Sequence, residues 1–106
     1  MIYKVKASIR KEKLPEFWGK LTDGTIFSQQ PDGEEIVSSM QKARITSPGV
    51  IEWYETCYCS TPLQHERETV YDHYLSGIDP ELVDEGGEIE GESFWDYLLA
   101  MAARDH

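Results

Sequence analysis

Apolar and polar residues alternate along "YKVKASIR": Tyr3, Val5, Ala7 and Ile9 fall on one side, Lys4, Lys6, Ser8 and Arg10 on the other. A period of two is the signature of a half-buried strand. The period then changes. Leu14, Phe17, Trp18 and Leu21 recur at helical spacing, so "KLPEFWGKL" predicts an amphipathic helix with Pro15 in its first turn and Gly24 at its end. "TIFSQQP" fits an extended connection or a short strand. Asp32 and Glu35 then form a D-x-x-E variant of the capping box, ahead of a helix that gathers Ile36, Val37, Met40 and Ala43 on one face.

"TSPG" resets the chain, and "VIEWYETCYC" follows, rich in β-branched and aromatic residues. Apolar side chains fall on both of its faces, which places it centrally in a sheet. "HERETVYDHYL" fits two templates. Thr61, Pro62 and Gln64 resemble a helix start, with Leu63, Arg67, Val70 and Tyr74 on one face; the alternative is the second strand of a hairpin over residues 50–75. The hairpin is favoured because a sheet of two strands could hardly cover the helices. Residues 76–92, "SGIDPELVDEGGEIEGE", predict an acidic Gly-rich loop with at most a helical turn at "DPELV". Ser93 and Asp96 cap a last helix, about 93–104, with apolar residues around most of its circumference.

The order β-α-α-β-β-α predicts one α+β domain over 1–106. Its small antiparallel sheet of about three strands is packed by helices and is ferredoxin-like in the broad, open sense. A length of 106 residues with 40 % hydrophobic content supports a single globular core. No apolar run reaches a membrane span of roughly 18 to 20 residues, and "MIYKVKASIRKEK" lacks the apolar core of a signal peptide, so a cytoplasmic protein with reduced thiols is expected.

The net charge of −10 is unevenly distributed: residues 1–67 carry nine Lys/Arg and nine Asp/Glu, whereas residues 68–106 carry Arg104 against eleven acids. Without a basic stripe, neither nucleic acid nor an anionic membrane is an expected partner.

Candidate chemistry centres on "ETCYCSTPLQHERE". In a hairpin with the loop "STPLQ", Cys59 opposes His65 and Cys57 opposes Arg67, and all four share a face. A thiol beside an imidazole and a guanidinium has its thiolate favoured, so Cys59 and His65 are candidates for a reactive thiol site. Zinc would need a fourth ligand. His73 lies six residues along the strand from Cys57, about 20 Å away at ~3.4 Å per residue. The chain has no asparagine for a Cys-His-Asn arrangement. The competing structural reading is that both cysteines are small buried hydrophobes. Tyr71 and His73 are candidate proton-transfer groups for a small cofactor-free enzyme with a cleft between sheet and helices. No metal and no cofactor is expected, and no phosphate-binding, nucleophile-elbow or EF-hand motif is present.

Two functional readings compete. The favoured one is a non-catalytic interaction domain that self-associates, as a homodimer, through Phe94, Trp95, Leu98, Leu99 and Met101 of the last helix. Those residues exceed what one core face takes. The alternative is an enzyme using Cys59, His65, Tyr71 or His73.

Overall fold

The computed structural model describes residues 1–58 and 60–104. Its elements are β1 (Ile2–Ile9), α1 (Leu14–Thr22), α2 (Gly33–Lys42), β2 (Arg44–Ser47), β3 (Val50–Thr56), a helical run α3 (residues 64–74), β4 (Leu75–Val83), β5 (Glu92–Ser93) and α4 (Phe94–Arg104). The described strands form one open antiparallel sheet in the order β4-β1-β3-β2-β5, with the helices packed on one face. The α+β class, the helices over 14–22, 33–42 and 94–104 and the strands over 2–9 and 50–56 match the expectation. The strand count and order do not: five strands replace three.

The hairpin over 50–75 is replaced by a strand followed by a helix. Within residues 64–74, α-helical Gln64–Glu66 and Asp72–Tyr74 flank a π-helical stretch, Arg67–Tyr71. The buried positions Leu63, Glu66, Val70, Tyr71 and Tyr74 follow helical spacing, not alternation. The missing strands come from elsewhere. Residues 76–83, expected in a loop, belong to β4, an edge strand paired to β1. It is buried mainly at Leu75, so no alternating apolar pattern marks it. Pro80 is tolerated there because it opposes Val5. In this register Val5 directs its own backbone groups toward β3, so the Pro80 nitrogen faces away from the ladder. β2 has four residues and β5 two, both too short for periodicity to register.

β1 and β3 form the centre. Their inward residues Tyr3, Val5, Ala7, Ile51, Trp53, Glu55 and Cys57 lie under the helices, while Lys4, Glu52 and Tyr54 occupy the outer face, where Lys4 pairs with Glu52 at 3.8 Å. β3 is central as expected, but its outer face is half-buried instead of fully covered. α1 and α4 are joined through Trp18 and Trp95, in edge contact at 4.9 Å, and Phe17 stacks on Tyr74 at 4.8 Å.

The two capping boxes differ. Ser93 Oγ accepts the Asp96 N–H at 3.2 Å, as expected at the start of α4. Asp32 occupies the N-cap of α2, but its carboxylate is engaged by His65 Nδ1 instead of the helix. Glu35 also leaves the box and accepts the Thr56 N–H at 3.2 Å. No helix among the described residues is long and apolar enough to cross a membrane.

Candidate binding slot at the sheet edge

The ladder between β1 and β3 fixes which way each backbone group of β3 points. Cys57 N–H donates to Met1 C=O, so the odd-numbered residues of β3 bond toward β1 and the even-numbered ones point to the other side. On that side β2 pairs with Val50, Ile51 and Glu52 and no further, because the chain preceding Arg44 is already helix α2. β3 continues to Thr56. The N–H and C=O of Tyr54 and the C=O of Thr56 are therefore directed at an edge where no described strand pairs with them.

This edge opens into a cavity of about 800 Å³. One wall is α2, through Glu35, Ser38, Ser39 and Lys42; the other is the segment 86–90. That segment crosses from β4, on one side of the sheet, to β5 on the other, lying along the outer-face ring of Tyr54 at Gly86 and Gly87. Gly91 ends the crossing. Its φ of 145° and the approach of Ile45 C=O, 2.3 Å from where a Cβ would stand, leave room for no side chain. Arg44 Nη1 ties the same turn at Gly91 C=O, 3.4 Å away. The result is a slot flanked on both faces, with the strand edge as its back.

Glu55 and Ser39 lie at the slot's inner, core-facing side. Glu55 is 1 % exposed and Ser39 2 %. Glu55 Oε1 accepts hydrogen bonds from Trp53 Nε1 at 2.8 Å and Tyr71 OH at 2.5 Å. Glu55 and Ser39 both line the cavity, but Glu55 Oε2 and Ser39 Oγ are themselves buried and have no hydrogen-bond partner among the described residues. Burial, and then the adjacent Glu66 carboxyl, push Glu55 up to about 8, while the bonds from Tyr71 and Trp53 oppose the rise. Burial beside a second carboxyl disfavours the charged form, so below that pH Glu55 holds a proton. Tyr71, fully buried beside this carboxyl pair, is raised well above the ordinary phenol value by burial and by Glu55.

Glu66 connects this interior group to the surface. Its carboxyl, His65 and Asp32 each offer one ligand-type atom, all within 4.8 Å of one another. That is three of the four donors a zinc ion takes. As it stands, His65 and Asp32 form a half-exposed hydrogen bond that ties α3 to the start of α2.

The structure separates the residues expected to act together. Cys57 is buried on the core face of the sheet. Cys59 lies outside the described residues. His65 faces Asp32, and Arg67 pairs with Asp72 at 3.4 Å on its own helical run, so the cross-strand register that would oppose Cys57 to Arg67 is not formed. The helix at 64–74 is the cause. Tyr71 is buried in the core, while His73 is exposed with Nε2 against Glu68 C=O at 3.1 Å, so the two share no cleft. In α4, Phe94 and Leu98 belong to the core, Trp95 and Met101 pack partly against it, and Leu99 is exposed. The apolar excess is thus largely covered by the chain itself.

Glu55, Glu66 and Ser39 were missed by the motif-led reading. The signal for Glu55 was available: it follows Ile51 and Trp53 at alternate positions, a carboxylate on the apolar side of the strongest strand. Comparisons with family models, curated proteins and solved structures give no match.

Proposed function

We propose that the chain is a cytosolic, non-catalytic binding module that takes an extended peptide segment of a partner protein into the slot, where the segment adds to the sheet beside β3. The supporting observation is the length mismatch at the sheet edge: β2 pairing ends at Glu52, and β3 runs on to Thr56 between two walls. Strand addition uses backbone groups such as the Tyr54 N–H and C=O for affinity, and side-chain pockets on alternate residues for specificity. A cavity of this volume falls in the ~300 to 1,000 Å³ range of ligand-holding clefts.

Catalysis is disfavoured by what faces the slot. Ser39 Oγ and Glu55 Oε2 hydrogen bond neither each other nor another described group, so they form no nucleophile–base pair. Tyr71 has no access to the slot's contents because its hydroxyl is spent on Glu55. The slot's acids, Glu35, Glu88 and Glu90 with Glu55, outnumber Lys42 and Arg44, which disfavours a nucleic-acid occupant.

Selection from a random decapeptide library displayed on phage tests the reading. The wild-type chain should enrich extended, β-branched sequences, and Tyr54→Pro should not. Proline there removes the N–H that points at the open edge and leaves the β1 ladder intact. Equal enrichment by both proteins, or none by wild type, overturns the proposal.

A further inference from the structure

Away from the slot, the starts of α2 and α3 bring three ligand-type side chains together. Asp32 stands at the N-cap of α2 without capping it, although an aspartate there ordinarily accepts a bond from the first N–H groups of the helix. Its carboxylate is turned to His65 Nδ1 instead. Glu66, the next residue on α3, is a carboxyl only 1 % exposed. One donor atom from each of the three residues lies within 4.8 Å of the other two. The α3 pair is held in place from both sides: Leu63 enters the helix with φ 56°, and Thr69 Oγ1 donates to the His65 C=O at 2.8 Å.

We infer that Asp32, His65 and Glu66 form a site for one divalent transition-metal ion of the zinc type, with a water molecule in the fourth position. The donor set selects the class of ion. Calcium and magnesium take oxygen ligands, whereas an imidazole nitrogen beside carboxylates suits zinc and its neighbours in the first transition row. Among the described residues no thiol belongs to the set.

Distances and access agree with this. Zinc bonds of ~2.0–2.2 Å place the ligand atoms of a tetrahedron about 3.3–3.6 Å apart. Small rotations of Asp32 and His65, whose side chains are 21 % and 40 % exposed, bring the three donors to that spacing, and the same exposure admits the ion and its water. Glu66 also stands beside Glu55, so three carboxyl groups and one imidazole meet at this corner. A divalent cation offsets the charge that gathers there.

Coordination replaces the hydrogen bond between His65 and Asp32 by one bond from each to the metal. The neutral ring gives its Nδ1 lone pair and carries its proton on Nε2; a doubly protonated ring releases one proton to the buffer. The ion then cross-links α3 to α2, the helix that forms one wall of the slot. This inference is independent of what the slot takes.

Zinc titrated into the full chain in competition with a chromogenic chelator tests it. Wild type should bind one equivalent. His65→Gln and Asp32→Asn, both at half-exposed positions, should each weaken binding roughly ten-fold or more, and His73→Gln, which alters an exposed histidine of the same helical run, should leave it unchanged. Glu66→Gln should also weaken binding, with its far-UV spectrum reporting that the fold is kept. Cobalt(II) in place of zinc should give visible bands of a tetrahedral nitrogen and oxygen site, without thiolate charge-transfer absorption. Zinc at about 100 times its dissociation constant should shift the unfolding equilibrium of wild type about 100-fold toward the folded state; the same zinc concentration should do much less for His65→Gln, and calcium or magnesium should do nothing. No bound zinc, binding indifferent to His65→Gln or Asp32→Asn, equal loss in His73→Gln, or a thiolate band with cobalt overturns the inference. The slot stands or falls separately, with the peptide selection.

Discussion

Replacing Glu55 by glutamine should stabilise the protein, by an amount that depends on pH in a defined way. The acid ionises near 4.5 when unperturbed and near 8 in the folded chain. Between those values the folded state holds a proton that the unfolded state releases, so folding is disfavoured increasingly as pH rises. Below about 4.5 both states are protonated and the penalty vanishes; above about 8 both are ionised and the penalty is constant. At 1.36 kcal/mol per pH unit the cost at pH 7 is about 3 kcal/mol, with an upper limit of about 5 kcal/mol beyond pH 8. Glutamine keeps an oxygen for Trp53 and Tyr71 and cannot ionise. Urea unfolding of both proteins, followed by tryptophan fluorescence from pH 4 to 9, should give nearly equal stabilities at pH 4 and a widening gain for the variant up to pH 8. A gain independent of pH, or a loss at pH 8, would refute the assignment of a buried, proton-bearing carboxyl. Against a typical total stability of roughly 5–15 kcal/mol, a penalty of this size is large enough to measure.

Other outcomes follow from the same contacts. Tyr71→Phe removes a hydrogen bond that favours the ionised form of Glu55. The variant should lose about 1 kcal/mol and shift the Glu55 midpoint upward, visible as a wild-type-like unfolding profile displaced to higher pH. Leu98→Ala should cost about 2–5 kcal/mol because Leu98 is fully buried. Leu99→Ala should stay within about 0.5 kcal/mol; similar losses for the two in thermal or urea unfolding would contradict the placement of α4. Sedimentation at micromolar concentration should give a monomer, since Phe94 and Leu98 are already covered; a dimer would restore the self-association first expected from this helix. Gly91→Ala should destabilise by more than about 1 kcal/mol through its clash with Ile45 C=O, and should loosen the wall of the slot.

The legible parts of the fold were those with a full period. β1 alternates over eight residues, and α1, α2 and α4 each show a helical stripe. The helical stripe at 64–74 was visible in Leu63, Val70 and Tyr74 and was set aside only because the sheet lacked a third strand, which β4 in fact supplies. β4 was hidden because an edge strand exposed along most of its length has no apolar repeat, and it contains Gly77 and Pro80. The slot was illegible for another reason. It exists because β2 stops short of β3, a difference in strand length across the sheet that no local pattern records. Cys57, Cys59 and His65 drew attention by residue type, whereas Glu55 is unusual only by its place in an alternating strand.

Amide hydrogen exchange along β3, resolved by NMR, tests the open edge most directly. Trp53 and Glu55 bond toward β1 and should exchange slowly, Thr56 should be partly protected by the Glu35 carboxylate, and Tyr54 should exchange orders of magnitude faster than Trp53. Addition of an enriched peptide should then protect Tyr54 selectively. A Tyr54 amide as slow as its neighbours in the unliganded protein would mean that the edge is already paired and that no slot exists.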